Sequence, residues 1–380
     1  MKKNQLVTLG KHIDILSGCA FPSSGFNRNN GVPLIRIRDI LSGKTETYYE
    51  GSYDLKYLIK KGDLLVGMDG DFNREYWKGT DALLNQRVCK ITPNPETLDK
   101  NFLHHFLQKE LDKIHATTDV VTVKHLSVKK IQDIKIRLPS LKEQKRIATI
   151  LDKADAIRQK REQAIKLADD FLRAKFLEMF GTPANNIHRF PKGTIRDLVD
   201  SVNYGTSAKA SIDSGEYPIL RMGNITYQGR WDFTDLKYLD LSVKEKDKYL
   251  VKEGDLLFNR TNSKELVGKT AVYEEDRPMA FAGYLIRVRP NSIGNNYYIS
   301  GCLNSIHGKI TLMNMCKSIV GMANINAQEL QNIEILIPPK HLQDEYEIIY
   351  KKIKKGLSIY DKSAMQLQLL ASNLSNKYFM

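Results

Sequence analysis

The sequence contains the same series of segments twice, in the same order. In each copy a strand-like segment with an early proline comes first, a Gly-Asp-Leu-Leu segment follows, and an apolar segment ending in proline comes last. The matched pairs are "VPLIRIRDI" (32–40) with "YPILRMGNI" (217–225), "LIKKGDLLVG" (58–67) with "LVKEGDLLFN" (250–259), and "IQDIKIRLP" (131–139) with "LQNIEILIP" (330–338). Self-similarity of this kind is typical of a duplicated structural unit. The 380-residue chain is therefore predicted to contain two related globular domains.

A long helix is predicted after each copy. Apolar residues recur there at spacings of three and four along a charged segment, which indicates an amphipathic helix. The first helix runs from Lys142 to Phe180, after which Gly181 provides a left-handed cap and Pro183 prevents continuation. A helix of this length spans roughly 58 Å, more than a compact domain needs. The two helices are therefore predicted to form an antiparallel coiled coil; the alternative is that each folds back on its own domain.

The predicted seam of this coiled coil is apolar, with one arginine and one tyrosine near its middle. Its members are Ile147, Ile150, Ala154, Ile157, Arg161, Ala168, Phe171, Ile349, Ile353, Tyr360, Leu367, Leu370 and Leu374. Arg161 and Tyr360 occupy equivalent positions, so we expect the arginine to lie against the opposite helix, stacked on the tyrosine. An arginine that extends to the rim of the seam is the alternative.

The rest of each copy alternates short β-rich runs with turns, and helical stretches are fewer. The clearest of these is "DKNFLHHFLQKELDKI" (99–114), to which "NNYYISGCLNSIHGKI" (295–310) corresponds. The predicted fold class is α+β: two similar mixed α/β domains separated by two long helices in an antiparallel coiled coil, with pseudo-two-fold symmetry. The predicted boundaries are 1–141 for the first domain, 142–184 for the central helix and its cap, 185–338 for the second domain, and 339–380 for the C-terminal helix.

The charge balance predicts an anionic partner. The chain has 58 Lys and Arg against 44 Asp and Glu, a formal net charge of +14, and such an excess favours nucleic acid. The four cysteines are far apart and lack metal-site spacing, and no long apolar segment occurs. We therefore expect reduced thiols and a soluble, cytoplasmic protein without a membrane segment.

Polar side chains that suit DNA recognition follow the Gly-Asp-Leu-Leu segment in both copies, and the stretch from Asn73 to Lys78 in the first copy is expected to correspond to the stretch from Asn259 to Lys264 in the second. Arginine and asparagine can contact guanine and adenine edges with two hydrogen bonds, while lysine and hydroxyl groups suit phosphates. The candidate DNA-binding residues are Arg36, Arg38, Asn73, Arg74, Trp77, Lys78, Thr206, Ser207, Lys209, Arg221, Asn259, Arg260, Thr261, Asn262, Ser263 and Lys264.

No catalytic motif accompanies these residues. The string "SKELVGKT" (263–270) ends like a phosphate-binding loop but has Ser263 where that loop needs glycine. An Asn-Pro-Pro-aromatic methyltransferase signature, a Gly-x-Gly-x-x-Gly after a strand and a His-Glu-x-x-His are all absent from the sequence. We expect no catalytic residue, no cofactor and no metal.

The chain resembles the DNA-specificity subunit of type I restriction-modification systems. The resemblance is carried by the duplicated layout and by "LPSLKEQKRIATILDKADAIRQKREQAIKLADDFLRAKFLEMFGTP", "GDLLFNRTNSKELVGK" and "YPILRMGNI". It implies two target recognition domains that each read one half of a bipartite site in the major groove. It also implies that the two long helices form the spacer, bind two methyltransferase subunits and, in the full complex, recruit motor nuclease subunits on double-stranded DNA.

Two features of the sequence refine this expectation. The loops of the two copies differ strongly, so the two half-sites should differ and the whole site should not be a palindrome. The start of the second helix keeps Gln144 as Gln343 but loses the neighbouring glutamate, so the two methyltransferase docking regions are not identical. The alternatives are a specificity subunit for a methyltransferase-nuclease fusion, and a coiled-coil scaffold with nucleic-acid-binding end domains.

Overall fold

The chain forms two compact units in a computed structural model that describes residues 5–118, 124–316 and 322–379. Unit 1 comprises Met1–Lys160 together with Lys362–Met380, and unit 2 comprises Arg161–Asp361. Each unit therefore contains one globular copy and part of both long helices.

The strands of unit 1 are short, and its long helix follows the last of them. The strands are β1 (Gln5–Thr8), β2 (Ile13–Ser17), β3 (Phe26–Asn27), β4 (Val32–Ile35), β5 (Tyr48–Tyr49), β6 (Leu58–Ile59), β7 (Leu64–Gly67), β8 (Arg74–Tyr76), β9 (Ala82–Leu84), β10 (Val88–Pro93) and β11 (Lys135–Leu138). The helices are α1 (Lys100–Ala116), α2 (Val128–Gln132) and α3 (Leu141–Phe180), the last of which continues into unit 2.

Unit 2 has a matching set of elements. Its strands are β12 (Lys192–Thr194), β13 (Val199–Tyr204), β14 (Tyr217–Leu220), β15 (Lys237–Leu239), β16 (Leu250–Val251), β17 (Leu256–Asn259), β18 (Thr261–Asn262), β19 (Thr270–Val272), β20 (Met279–Phe281), β21 (Leu285–Pro290), β22 (Ala323–Asn324) and β23 (Glu334–Leu336). Its helices are α4 (Val243–Tyr249), α5 (Asn296–Asn304), α6 (Ile306–Met315), α7 (Ala327–Gln331) and α8 (Lys340–Phe379), which continues into unit 1.

The two units share one sheet topology. Unit 1 has an antiparallel sheet in the order β2-β10-β7-β8, and unit 2 has one in the order β13-β21-β17-β19. A second sheet in each unit contains one parallel pair, β4 with β9 in unit 1 and β14 with β20 in unit 2. The first and last strands of each copy also pair, β1 with β11 and β12 with β23. The predicted duplication and the mixed α+β fold are therefore confirmed.

A buried glutamine anchors the start of each long helix. The Gln144 amide nitrogen donates to the carbonyls of Pro139 at 2.9 Å and Thr97 at 3.0 Å. The Gln343 amide nitrogen donates to the equivalent carbonyls of Pro338 at 2.8 Å and Ile293 at 3.0 Å. Both side chains are almost fully buried. The glutamine that the two copies share thus fixes the start of each long helix to its globular domain through buried hydrogen bonds.

We expect Gln144→Leu to destabilise unit 1 more than Gln343→Leu destabilises unit 2. The Gln144 amide oxygen also accepts a hydrogen bond from the Asp99 N–H at 2.8 Å, whereas the Gln343 amide oxygen has no partner in the described part of the chain. Leaving buried polar groups unpaired should lower the free energy of unfolding by about 3 kcal/mol and about 2 kcal/mol, respectively. Hydrogen exchange in urea, followed separately in each unit, measures both values, and equal losses would contradict the assignment.

Within each unit, the start of one long helix packs beside the end of the other. In unit 1 the core includes Ile147 and Leu151 near the start of α3 and Phe379 at the end of α8. In unit 2 the core includes Phe176 at the end of α3 and Tyr346 near the start of α8, with ring centroids 5.2 Å apart. A start that meets an end defines an antiparallel pair. The predicted antiparallel arrangement of the two helices is confirmed.

The predicted seam is wrong at three positions. Ile157 is 40% exposed, and Phe171 and Leu370 are each 50% exposed. At the end of α3 the buried residues are instead Leu172, Phe176 and Phe180, at spacings of four, because this part of the helix packs into the core of unit 2. Contact with the globular core decides which residues are buried in this part of α3. The spacing of apolar residues along the helix does not predict that contact.

The remaining seam residues are less exposed. Ile147 is buried, and the half-buried members are Ile150, Ala154, Arg161, Ala168, Ile349, Ile353, Leu367 and Leu374. The side chain of Tyr360 lies outside the described residues, and so does the predicted stacking of Arg161 on it. Gly181 has φ +68 and its N–H donates to the Leu177 carbonyl, as predicted for the cap.

The helix of each globular copy differs between the units. In unit 1, α1 is continuous over Lys100–Ala116. In unit 2, Ser305 caps a new helix by accepting a hydrogen bond from the Gly308 N–H at 2.9 Å, so α5 ends and α6 begins there. Of the helices that are described, none has the length and apolarity required to cross a bilayer.

Candidate nucleic-acid interface

Met68 follows β7 in unit 1, and Arg260 follows β17 in unit 2. The backbone of each residue forms hydrogen bonds with two other segments, in the same way in both units. In unit 1, the Met68 N–H donates to the Arg87 carbonyl at 2.8 Å, and its carbonyl accepts from the Leu126 N–H at 2.7 Å. In unit 2, the Arg260 N–H donates to the Tyr284 carbonyl at 3.0 Å, and its carbonyl accepts from the Ile325 N–H at 2.9 Å. The backbone frame is therefore conserved between the units while its side chains differ.

Different side chains project from this shared frame. Strand-end surface 1, in unit 1, is defined by Asp69, Arg87 and His125; strand-end surface 2, in unit 2, is defined by Tyr204, Arg260, Tyr284 and Asn324. The backbone bridge between Asp69 and His125 corresponds to the pairing of Thr261 with Asn324. Each surface therefore lies at an equivalent place in its unit.

A carboxylate holds two donors in place on strand-end surface 1. The Asp69 carboxylate lies 2.7 Å from His125 Nδ1 and 3.2 Å from Arg87 Nε. Asp69 is mostly buried, whereas the side chains of Arg87 and His125 are 66% and 67% exposed. Arg87 adopts φ +69, a left-handed conformation that is uncommon for residues other than glycine. These residues present hydrogen-bonding groups to solvent, and the sequence analysis did not identify them because they come from three distant segments.

An aromatic ring orients the arginine on strand-end surface 2. The Arg260 guanidinium lies over the Tyr204 ring, 5.0 Å from its centroid. The Tyr204 hydroxyl accepts a hydrogen bond from the Ala327 N–H at the start of α7, at 2.9 Å. Tyr204 and Tyr284 are 43% and 52% exposed. A guanidinium stacked on an anchored ring loses less conformational entropy when it binds, since its plane is already set.

The loop after Tyr204 lies beside strand-end surface 2. The Thr206 N–H donates to the Phe281 carbonyl at 2.9 Å, and the Gly283 N–H donates to the Thr206 carbonyl at 2.8 Å. Ser207 and Lys209 are exposed on this loop. On the other side of Arg260, Asn262 and Ser263 are half-buried and Lys264 is exposed. The structure thus brings together most of the candidates predicted in the second copy.

Four predicted DNA-binding residues are buried and do not belong to the surface. Asn259 is fully buried at the end of β17, Thr261 is paired in β18, and Thr206 accepts a hydrogen bond from the Ala208 N–H. Trp77 is 2% exposed, and its indole N–H donates to the Thr80 carbonyl at 2.6 Å. These side chains are occupied by packing and internal hydrogen bonds.

Trp77 also shows that one sequence match was misplaced. The Trp77 carbonyl accepts from the Gly62 N–H at 2.8 Å, and the Tyr273 carbonyl accepts from the Gly254 N–H at 2.8 Å. The segment from Asn73 to Lys78 therefore corresponds to β19 and its end, and not to the loop that contains Arg260. The true counterpart of Thr261 is Asp69.

Arg74 belongs to an internal cluster in unit 1. Its guanidinium lies 2.6 Å from His104 Nε2, and its N–H donates to the Gln108 side chain. The same His104 nitrogen lies 3.4 Å from the Glu75 carboxylate. Lys78 lies 3.3 Å from the same carboxylate, and Asn73 is half-buried. This cluster connects β8 to α1.

Arg36 and Arg221 precede equivalent 3-10 turns. The Arg36 N–H donates to Asp39 and the Arg221 N–H donates to Asn224, both at 2.8 Å. The Arg221 guanidinium is bound to Asp235 at 2.8 Å, whereas Arg36 and Arg38 are exposed. Within the described ranges, no three His, Cys, Asp or Glu side chains are grouped as metal ligands.

Comparisons with known proteins identify the family. A family model described as "Type I restriction modification DNA specificity domain" matches residues 1–167 and 190–371. The chain is 29% identical to the type I restriction enzyme EcoBI specificity subunit of Escherichia coli, over 97% of the chain and 82% of that protein. It is 23% identical to the EcoKI specificity subunit of Escherichia coli strain K12, over 92% and 80%, respectively.

Solved structures agree on the fold. The crystal structure of the type I restriction-modification S subunit from M. genitalium superimposes with a TM-score of 0.67 at 15% identity, covering 100% of this chain and 97% of that one. Because the family model matches more than half of its residues, the chain belongs to the type I restriction-modification DNA-specificity family, as a non-catalytic subunit that recognises DNA sequence.

Proposed function

We propose that each unit reads one half of an asymmetric bipartite DNA site through its strand-end surface. The observation that carries this proposal is the shared backbone frame with different side chains. Strand-end surface 1 offers Arg87 and His125, held by Asp69, whereas strand-end surface 2 offers Arg260 on Tyr204 with Asn324 beside it. Since sequence is read by hydrogen bonds to base edges, different donors in the same place select different bases.

The exposed cations near these surfaces suit the phosphate backbone. Lys209 flanks strand-end surface 2 on one side and Lys264 on the other, Arg36 and Arg38 are exposed in unit 1, and the exposed Ser207 adds a neutral hydroxyl donor beside Lys209. Contacts to phosphates fix the register of a protein on the duplex without selecting sequence. With a net charge of +14, they should also make binding strongly dependent on salt.

The long helices are the proposed docking sites for two methyltransferase subunits and, in the full complex, the motor nuclease subunits. They expose large apolar residues, among them Ile157, Leu167, Phe171, Leu369 and Leu370. Exposed apolar side chains that recur along a helix are typical of a surface that a partner covers. Ile157, Phe171 and Leu370, which were predicted for the seam but are exposed, are thus candidates for subunit contacts.

The proposal is tested by selecting duplexes from a random library with the chain and its methyltransferase, at two salt concentrations. Two short conserved blocks with an unread spacer are expected at both. Loss of all sequence preference would overturn the proposal and favour the scaffold alternative.

We expect Arg260→Ala to relax discrimination in one half-site only. A bidentate arginine contributes about 1–3 kcal/mol to discrimination between bases, so the preference at one position should fall about 5- to 150-fold. Competition binding with duplexes that carry single base-pair changes measures this preference. Arg196→Ala is the matched control, because Arg196 is exposed in the same unit but binds Gln331 and Asn332. A uniform loss across all sequences would assign Arg260 to a phosphate.

A further inference from the structure

Unit 2 contains a cleft that none of the residues defining strand-end surface 2 lines. Its volume is about 540 Å³. Its walls come from α3, α8, the α5–α6 junction and the loops at 227–230 and 264–267. Aromatic side chains line much of it, including Phe176, Tyr297, Tyr346 and Tyr350. Clefts of about 300–1,000 Å³ with mostly apolar walls are typical of small-molecule sites.

The cleft lies where unit 2 departs from unit 1. The continuous α1 of unit 1 is replaced by α5 and α6, which meet at Ser305 on the cleft wall. The Phe176 ring lies directly on Gly301, where an added Cβ would come within 2.3 Å of the ring. The helix break and the glycine are therefore what shape this side of the cleft.

The lining carries an excess of positive charge. Five of its residues are cationic, namely Arg173, Arg230, Lys264, Lys309 and Lys354, and two are acidic, namely Asp169 and Glu265. Asp169 is already paired with Arg230 at 2.5 Å. The surplus of three positive charges favours an anionic occupant.

Among these cations, Lys309 is held in an environment that disfavours its positive charge. Its ammonium lies 3.5 Å from the Gly268 carbonyl and over the Tyr227 ring, 5.0 Å from the centroid. Burial, together with the nearby charges of Lys269 and Arg173, lowers the pKa of Lys309 to about 8. An anion between Lys309 and Arg173 would relieve this repulsion.

Two further polar atoms of the lining residues are buried without a hydrogen bond. Within the described part of the chain, Arg230 Nε and Asn304 Oδ1 have no partner. Buried polar groups are normally paired, so an unpaired donor and an unpaired acceptor in lining residues indicate places for ligand atoms or water. The cleft thus combines aromatic surface, positive charge and unused hydrogen-bonding capacity.

We propose that this cleft binds a small planar aromatic molecule that carries a phosphate or carboxylate group. The ring packs among Phe176, Tyr297 and Tyr350, and the anionic group lies between Lys309 and Arg173. Aromatic rings add favourable stacking geometry to the apolar area that they bury. The proposed site is separate from the residues proposed to read bases, because none of Tyr204, Arg260, Tyr284 and Asn324 lines the cleft, although Lys264, proposed to contact phosphate, does line it.

The test is calorimetric titration of the full chain with 1-naphthyl phosphate, AMP, 1-naphthol and inorganic phosphate. 1-Naphthyl phosphate is expected to bind with a Kd below about 1 mM, and 1-naphthol and phosphate at least about tenfold more weakly, since each lacks half of the recognised chemistry. The AMP titration shows whether the aromatic group can be a nucleobase. Absence of 1-naphthyl phosphate binding, or equal binding of phosphate alone, would overturn the proposal.

Variants locate the site. Lys309→Met is expected to weaken 1-naphthyl phosphate binding about tenfold, the effect of one charge-assisted hydrogen bond, and Lys309→Arg should retain most of it. Arg173→Met should also weaken binding, and because Arg173 is exposed on α3 this change does not threaten the fold. Lys244→Met, an exposed lysine of the same unit outside the cleft, is the matched control. An equal loss in Lys244→Met would overturn the assignment of the cleft.

Discussion

Phe180→Ala is expected to lower the free energy of unfolding of unit 2 by about 3–5 kcal/mol, the usual effect of removing a fully buried phenylalanine. Phe180 is the last residue of α3 and is 1% exposed. Its ring lies 4.7 Å from the Tyr298 ring, 5.0 Å from Phe176 and 5.9 Å from Tyr346, measured between centroids. The side chain therefore connects α3, α5 and α8 within one core.

Phe171→Ala provides the matched control on the same helix. Phe171 is 50% exposed, so its replacement should change the free energy of unfolding by less than about 1 kcal/mol. Hydrogen exchange of unit 2 in increasing urea measures both variants. Similar losses for the two would mean that α3 is stabilised by contacts along its whole length and not by its terminal ring.

An equivalent aromatic contact in unit 1 shows that the duplication includes the packing at the ends of the long helices. There Phe379, at the end of α8, lies 5.2 Å from the Phe102 ring, and Phe102 holds the place in α1 that Tyr298 holds in α5. The sequence predicts this duplication because local spacing patterns survive in both copies. The two long helices, the cap at Gly181 and the strand-like segments of both copies are predictable for the same reason, since each depends on residues close together in the chain.

The strand-end surfaces could not be predicted in the same way. Arg87, Asp69 and His125 are brought together by backbone pairing across three segments, and nothing in the spacing of these residues indicates it. The loop around Arg260 was found because its polar residues are consecutive in the sequence. Its supporting ring, Tyr204, comes from another strand and required the structure.

The predicted correspondence between the stretch from Asn73 to Lys78 and the loop that contains Arg260 is wrong for a related reason. Similar polar residues occur in both copies, but sequence similarity in short loops does not fix the strand register. The hydrogen bonds that Trp77 and Tyr273 accept at equivalent places in the two units do fix it. Trp77 is predicted to lie at the surface, but its indole is buried, because tryptophan occurs in both environments.

We expect seven residues inserted into both long helices, after Lys160 in α3 and after Asp361 in α8, to lengthen the unread spacer by about three base pairs. Both points lie where the helices pass between the two compact units. Seven residues add about 10 Å of helix, close to the rise of three base pairs, and turn the following residues by only about 20°. The apolar faces should therefore stay aligned with their partners. Sequencing of the adenines methylated by the complex measures the spacer directly.

An insertion of five residues at the same two points separates length from alignment. It adds about 7.5 Å but turns the following residues by about 140°, which moves the apolar residues away from their contacts. We therefore expect the five-residue variant to lose specific DNA binding, while the seven-residue variant binds a longer site. Because each helix contributes to both compact units, an insertion in only one of them should also disturb their pairing. An unchanged spacer in the seven-residue variant would show that the helices do not set the distance between the two half-sites.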